Sequence, residues 1–357
     1  MAPRTILVSL SAVLGGLVLC AASPRADDVK QVIPPAPKVP AKVELPHKNF
    51  TDILPGGEIK FEMVYVPGGE FKMGSPADEA GRQADEGPQH PVKVSPFWLA
   101  KFEVSWDEYY TFWKDPGIFK MDEIPEEDLA KLKPDAITKP SNTYVDELYD
   151  HGRDGFPAIC MTHHAAMMYC HWLRWKTKKG YRLPTEAEWE FACRAGYEGP
   201  YGFDKSEKLD DQSWMKSNSP DEDHPKGTTH KVGTKKANKL GLHDMHGNVA
   251  EWVLDHYDAK FYETFPADKL TLNPANKPTE KKWSHVVRGG SWADPPERLR
   301  AAIRRGSDKS WMKHDPQLPQ SIWWLTKMDV IGFRVALPVE ESPELLGVKP
   351  MVLKKVE

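Results

Sequence analysis

The chain has 357 residues, with 48 Lys and Arg against 52 Asp and Glu, so its formal net charge is −4. This near-neutral charge gives no electrostatic reason to expect nucleic acid binding. No apolar run reaches the ~20 residues that a membrane-spanning helix needs, and four Cys are too few for a disulfide-built scaffold. The length predicts about two domains, or one large one.

Residues 1–26 have the pattern of a secretory signal peptide. Arg4 precedes an apolar stretch from Ile6 to Leu19, and small residues follow it. The stretch is too short for a membrane anchor. The pattern therefore predicts export to the periplasm or the extracellular space, with cleavage near residues 22–23.

Cleavage would leave Cys160, Cys170 and Cys193 in the mature chain. Their simplest interpretation is as small buried residues. One disulfide is the alternative in an oxidising compartment, and the sequence does not choose the pair. Cys20 would serve as a lipid anchor in a second alternative, although Leu19 stands where a small residue is expected.

Residues 27–55 are rich in Pro, which removes backbone donors and favours polyproline II structure. We predict a semi-rigid spacer here, outside any core. A folded domain is predicted over residues 56–340, followed by a charged tail over residues 341–357.

Short elements follow one another along the domain. Alternating apolar residues predict a strand over Phe61–Val66, a turn at Pro67–Gly69 and a second strand over Phe71–Met73. A helix is predicted after Ser105.

Two further helices are better marked. After Thr162 apolar residues recur at helical spacing, and Gly180 closes the segment. Thr185 and Glu188 form a capping box that begins the next helix, which ends at Gly196.

Two strands are predicted downstream, around Val286–Arg288 and over Gly332–Val335. Many short elements between Gly- and Pro-rich loops indicate an α+β domain with much irregular structure. The Trp and Tyr side chains would provide the packing for these loops.

Five segments carry a resemblance to a known family when they are taken in order: Val66–Ser75, Tyr181–Glu190, Gly241–Trp252, Arg288–Trp292 and Gly332–Val335. Together they resemble the formylglycine-generating enzyme (sulfatase-modifying factor) family. The resemblance covers residues 61–337. It implies the family's unusual C-type-lectin-like α+β fold, which is loop-rich and has little regular secondary structure.

The name-giving enzymes of this family oxidise a sulfatase Cys to formylglycine with O2 and copper, which two Cys bind shortly after the Arg-Gly-Gly-Ser motif. Here the stretch from Arg288 to Arg300 holds no Cys and is a few residues shorter. A soft Cu(I) ion needs thiolate or thioether ligands. Ala250 replaces an active-site Trp, while Ser291 keeps the position of the active-site Ser. We therefore expect the copper-dependent reaction to be absent, with Ser291 as the remaining catalytic candidate.

The segment Gly241–Trp252 matches a calcium-binding segment of the family. The resemblance implies carboxylate ligands from Asp244 and Glu251 and carbonyl ligands from Gly247 and Val249. Such oxygens suit Ca²⁺, which takes six to eight of them. The alternative is that Asp244 and Asn248 only brace a tight loop. A second family site, beginning near Asn218, is less well matched.

A non-haem iron site with histidine ligands is the alternative metal site. His164 and His171 on the predicted helix are seven residues apart, about 10 Å along its axis, whereas ligands on one helix need a spacing of three or four. His163 points in another direction. His243 and His246 have usable spacing but flank the calcium segment. Iron is therefore not expected.

Ser291 with a distant His and Asp would form a hydrolase only if the fold assembled them, and no Gly-x-Ser-x-Gly elbow is present. The Arg run over residues 298–305 is typical of a strand edge with one solvated face, or it lines a cleft that binds an acidic group. The candidate cleft residues are Trp292, Asp294, Arg300 and Arg304.

Two functions remain. The first is an exported domain that has lost the copper chemistry and binds a peptide, protein or glycan in the family cleft. The second is a metal-dependent oxidoreductase with altered chemistry that acts on a protein or thiol substrate. Fold membership does not decide between them, because function depends on the site.

Overall fold

The computed structural model describes residues 42–56, 58–115, 151–278, 283–316, 320–345 and 348. The predicted signal peptide, Cys20 and the first part of the predicted spacer lie outside these residues. Within the described part of the chain, no helix is long and apolar enough to cross a membrane.

The described strands form three sheets. The first contains β1 (Phe50–Ile53), β2 (Lys60–Val66), β5 (Phe97–Ala100) and β11 (Ala336–Pro338), antiparallel in the order β1-β2-β5-β11. The second contains β6 (Ala250–His256), β8 (His285–Arg288), β9 (Arg305–Gly306) and β10 (Ile331–Phe333), in the order β10-β6-β8-β9 with β10 parallel to β6. The third contains β3 (Gly69–Met73), β4 (His90–Val94) and β7 (Thr271–Leu272), in the order β3-β4-β7.

The described helices are α1 (Trp106–Lys114), α2 (His163–Thr177), α3 (Glu186–Arg194) and the short α4 (Leu209–Gln212), with 3₁₀ turns at Ala84–Glu86, Phe261–Thr264, Pro296–Arg298 and Lys309–Met312. The predicted capping box is confirmed. The Glu188 amide donates to Thr185 Oγ1 at 3.2 Å, and the Thr185 amide donates to a Glu188 carboxylate oxygen at 2.8 Å. These two bonds satisfy amides that the first helical turn leaves unpaired.

Aromatic side chains fill much of the core, as the sequence predicted. Trp98, Trp252 and Trp324 are each at most 1% exposed and belong to one apolar cluster. A second cluster contains Trp189. The first twelve residues of α2 are all buried, so this helix is surrounded by the fold and does not expose a polar face.

The predicted strand over Gly332–Val335 is wrong as a single element. β10 ends at Phe333 and β11 begins at Ala336, because the chain passes from the second sheet to the first between them. Arg334 lies at this crossing and forms a buried ion pair with Glu251 at 2.6 Å.

The predicted spacer and tail are wrong where the structure describes them. Within residues 27–55, β1 pairs with β2 and Leu54 is 1% exposed. Within residues 341–357, Leu345 is 3% exposed and Glu341 binds Arg182 at 2.7 Å. Strand pairing and apolar burial, which proline content does not report, place the described parts of both segments in the fold.

Candidate functional site

The Arg288–Ser291 motif forms a tight turn after β8. At Gly290, φ is +68° and a Cβ atom would lie 2.6 Å from the Arg298 carbonyl oxygen, so only glycine fits there. Ser291 is 1% exposed, and its hydroxyl donates to an Asp294 carboxylate oxygen at 2.7 Å. The same oxygen accepts from the Ser291 amide at 3.0 Å. The Ser291 hydroxyl is therefore hydrogen-bonded to Asp294. The Ser-His-Asp arrangement of a hydrolase is not formed around it among the described residues.

Trp292 joins several loops beside this turn. Its amide donates to the Asn248 carbonyl at 2.9 Å, and its indole donates to the Asp329 carbonyl at 3.2 Å. Its own carbonyl accepts from the Ser219 hydroxyl at 3.0 Å. Trp292 is 8% exposed, so its ring mainly packs the surrounding loops together.

A histidine that the sequence analysis did not single out packs on Trp292. The two ring centroids of His151 and Trp292 lie 5.5 Å apart. The His151 ring lies between Asp329 and Thr228, with nitrogen–oxygen distances of 2.9 and 2.8 Å. The His224 ring is roughly parallel to it at 6.4 Å. These residues are distant in sequence, so no local motif signals the group.

We call Ser291, Trp292, Asp294, His151, Thr228 and Asp329 the Trp292 cluster. The Asp329 side chain is 24% exposed and the His151 side chain is 9% exposed. Asp329, like the half-buried Asp294, therefore presents a carboxylate partly to solvent, where it can accept hydrogen bonds from a ligand or bind a cationic group.

Arg300 and Arg304 are not cleft residues, which corrects the sequence prediction. The Arg304 side chain is fully buried and binds Glu186 at 2.7 Å. Arg300 binds Glu86 at 2.7 Å and Glu79 at 2.6 Å. A buried guanidinium needs such partners because leaving it unpaired is costly. Both side chains therefore form structural ion pairs inside the fold.

The predicted calcium segment brings acidic side chains together. Asp244 is 2% exposed; one carboxylate oxygen accepts from the Gly233 amide at 2.7 Å, and the other is buried without a hydrogen-bond partner in the described part of the chain. Burial raises the pKa of Asp244 to about 6. Burial, and the nearby Asp244 and Glu251, also raise the pKa of Glu103. The negative charge of these buried carboxylates suits a hard cation, but no three described His, Cys, Asp or Glu side chains converge here, so backbone carbonyls would have to complete its ligand shell.

The other predicted carboxylate ligand, Glu251, is already occupied. Its two oxygens each accept from Arg334 at 2.6 Å, and one also accepts from the Trp189 indole at 2.9 Å. Asn248 braces the loop, as the alternative interpretation expected, by donating to Glu103 at 2.7 Å. Of the two carboxylates, Asp244 therefore offers the better ligand.

The cysteines of the described chain are buried and unbridged. Burial raises the pKa of Cys170 and of Cys193, and the Cys193 sulfur lies 3.6 Å from the Met245 carbonyl oxygen. The raised pKa values keep both thiols protonated in the metal-free protein, as expected of buried cysteines. The interpretation of these cysteines as small buried residues is confirmed.

The helix histidines are also core residues. The rings of His163 and His285 stack at 3.8 Å, and burial lowers the pKa of His163 to about 3. In the described ranges, no three His, Cys, Asp or Glu side chains converge in a way that could hold a metal ion.

Relatives of this chain are found among enzymes and inactive homologues. It is 30% identical to a formylglycine-generating enzyme of Mycobacterium tuberculosis, over 68% of this chain and 91% of that one. It is 29% identical to the inactive C-alpha-formylglycine-generating enzyme 2 of Bos taurus, over 69% and 82%. The chain is also 32% identical to the serine/threonine-protein kinase Pkn1 of Chlamydia trachomatis over 68% of its own length. This match covers only 35% of the length of Pkn1.

A solved structure, PvdO from Pseudomonas aeruginosa, superposes with a TM-score of 0.56 at 30% sequence identity, covering 78% of this chain and 94% of that one. The expected α+β fold is confirmed by this likeness and by the few helices and several small sheets. The model of the sulfatase-modifying factor enzyme 1-like domain matches residues 57–316. The chain belongs to this family, as the sequence motifs indicated.

Proposed function

We propose that this chain is an exported family member without Cys-to-formylglycine oxidase activity, and that it binds a peptide, protein or glycan at the Trp292 cluster. The proposal rests on the sequence and the contacts of the segment that follows Arg288. It holds no Cys, and Asp294 accepts a hydrogen bond from the Ser291 hydroxyl where the active enzymes continue towards their copper ligands. The existence of an inactive relative supports the same conclusion.

The oxidase activity is tested directly with a sulfatase-type Cys peptide, O2 and Cu(I). The Mycobacterium tuberculosis enzyme serves as the positive control, and a hydroxylamine probe reports aldehyde by mass. We expect aldehyde from the control alone. Aldehyde from this chain would show that other residues replace the missing Cys pair.

Binding is tested on peptide and glycan arrays with two matched variants. Asp329→Asn removes one partly exposed charge of the Trp292 cluster at constant volume, and we expect it to weaken binding about tenfold, the cost of one charge-assisted hydrogen bond. Glu263→Gln changes an exposed carboxylate elsewhere and should leave binding unchanged. Ligands that bind both variants equally well do not use the cluster.

We further propose a structural calcium ion at the 241–252 segment, with Asp244 as its side-chain ligand and the Gly247 and Val249 carbonyls beside it. The unpartnered Asp244 oxygen supports this assignment. Calcium should raise the melting temperature relative to EGTA by about 3 °C, and Asp244→Asn should abolish that difference. An equal calcium effect in the variant would place the ion elsewhere.

Oxidoreductase chemistry with another metal is the second candidate. No specific observation among the described residues favours it. Stoichiometric copper or iron in the purified protein, measured by elemental analysis, would favour it over the binding function.

A further inference from the structure

Arg174 stands out among the buried arginines because no ion pair joins it to a carboxylate within the described residues. It lies in the last turn of α2 and is 7% exposed. In the part of the chain that the structure describes, its Nε atom is enclosed without a hydrogen-bond partner. Arg288, Arg304 and Arg334, by contrast, each bind a glutamate.

Arg174 lines a small cavity beside α2. The cavity has a volume of about 10 Å³, close to the smallest that holds one water molecule, and it is partly open to solvent. Its walls include Met167, Cys170, His171, Tyr181, Arg182, Leu254, Leu345 and Val348. Leu345 and Val348 belong to the C-terminal segment and close one side.

The carboxylates beside this cavity already form ion pairs with Arg182. Glu188 binds Arg182 at 2.6 Å, and Glu341 binds the same guanidinium at 2.7 Å. Burial and the charge of Arg182 lower the pKa of Arg174, and Glu341 opposes this only in part. The Arg174 guanidinium is therefore a buried cation without a contacting counter-charge, an arrangement that is costly unless something else supplies one.

We propose that the Arg174 cavity binds one monatomic anion of the chloride class. The little room that the cavity leaves beside Arg174 favours a monatomic anion over the larger sulfate and phosphate ions. The charge of its lining favours an anion over a neutral water molecule, since Arg174 and Arg182 both face it. Because Leu345 and Val348 form one wall, the bound anion also helps to seat the C-terminal segment.

Thermal unfolding of the full chain in sodium chloride and in sodium gluconate, at equal ionic strength, tests this assignment. Chloride should raise the melting temperature of the unmodified chain by about 3 °C. Arg174→Met keeps the apolar stem but removes the charge. This variant should show no chloride effect, and in gluconate it should be at least as stable as the parent, because no unpaired charge is buried.

Arg153→Met is the matched control, because Arg153 packs over Tyr110 away from the cavity lining. It should keep the full chloride effect. Crystals of the unmodified chain grown in sodium bromide should show an anomalous peak at the Arg174 guanidinium. Ordered water without anomalous signal there, or an equal chloride effect in Arg174→Met, would overturn the proposal.

Discussion

At the residue scale, Asp255 is a buried acid whose protonation should affect stability. One carboxylate oxygen accepts from the Glu186 amide and the other from the Asn276 amide, both at 2.7 Å. Burial and the nearby Glu186 raise the pKa of Asp255 to about 7. The folded state therefore holds this proton more tightly than the unfolded state does. The contribution of this protonated carboxyl group to the free energy of unfolding is fully present below about pH 4, and it is lost as the pH rises through about 7.

Urea unfolding between pH 5 and pH 8 checks this expectation. The unmodified chain should lose about 2 kcal/mol of unfolding free energy across this range from this group. Asp255→Asn, which cannot ionise, should flatten the curve. An unchanged slope in the variant would assign the pH dependence to other groups, of which Glu108, with its pKa raised to about 7 by burial, is the first to examine.

Single-residue roles were the least predictable from the sequence. The arginine run that contains Arg304 was read as a solvated edge or a cleft because its partner, Glu186, is distant in sequence. The group around His151 was missed for the same reason. Ser291 was placed at its position by a local motif, but its bond to Asp294 depends on the shape of the turn.

At the element scale, α3 connects most of the buried ion pairs. Glu186 binds both Arg288 and Arg304, and Glu190 binds Arg288 and Arg194. The helix thus combines a local signal, its capping box, with charges that bind it to the end of β8 and to the residue before β9. The capping box was predictable because its two residues are three positions apart in the sequence. The ion pairs with Arg288 and Arg304 join residues distant in sequence, so they depend on how the strands are arranged.

Two variants of α3 should separate these contributions. Thr185→Ala removes the cap and should cost about 1 kcal/mol. Glu186→Gln leaves Arg304 and Arg288 buried with less counter-charge and should cost about 3 kcal/mol. Urea unfolding of both variants provides the comparison, and a larger cost for the cap would mean that the ion pairs contribute little.

At the scale of the whole molecule, both ends of the described chain join the same structure. β1 pairs with β2, and the Val43 amide donates to the Val339 carbonyl at 2.7 Å. Leu345 packs into the core. Composition indicated a spacer and a tail at these positions, since proline and charge describe local preference and not burial. The family motifs, by contrast, were sufficient to predict the fold.

Burial at the C-terminal end predicts a marked effect of one substitution. Leu345→Ala should destabilise the protein by about 2–3 kcal/mol because it removes buried apolar surface and leaves a cavity. Leu272→Ala, at a side chain that is 61% exposed, is the control and should be nearly neutral. Equal effects in denaturant unfolding would mean that Leu345 is not part of the core in solution.

The order of the first sheet has a consequence for biogenesis. β11 pairs with β5, and the two strands are separated by most of the domain sequence. The sheet therefore stays incomplete until the ribosome has released the C-terminal part of the chain. Such non-local pairing slows folding and leaves strand edges exposed meanwhile. A nascent chain with this sheet order therefore remains incompletely folded until its C-terminal strand has been synthesised.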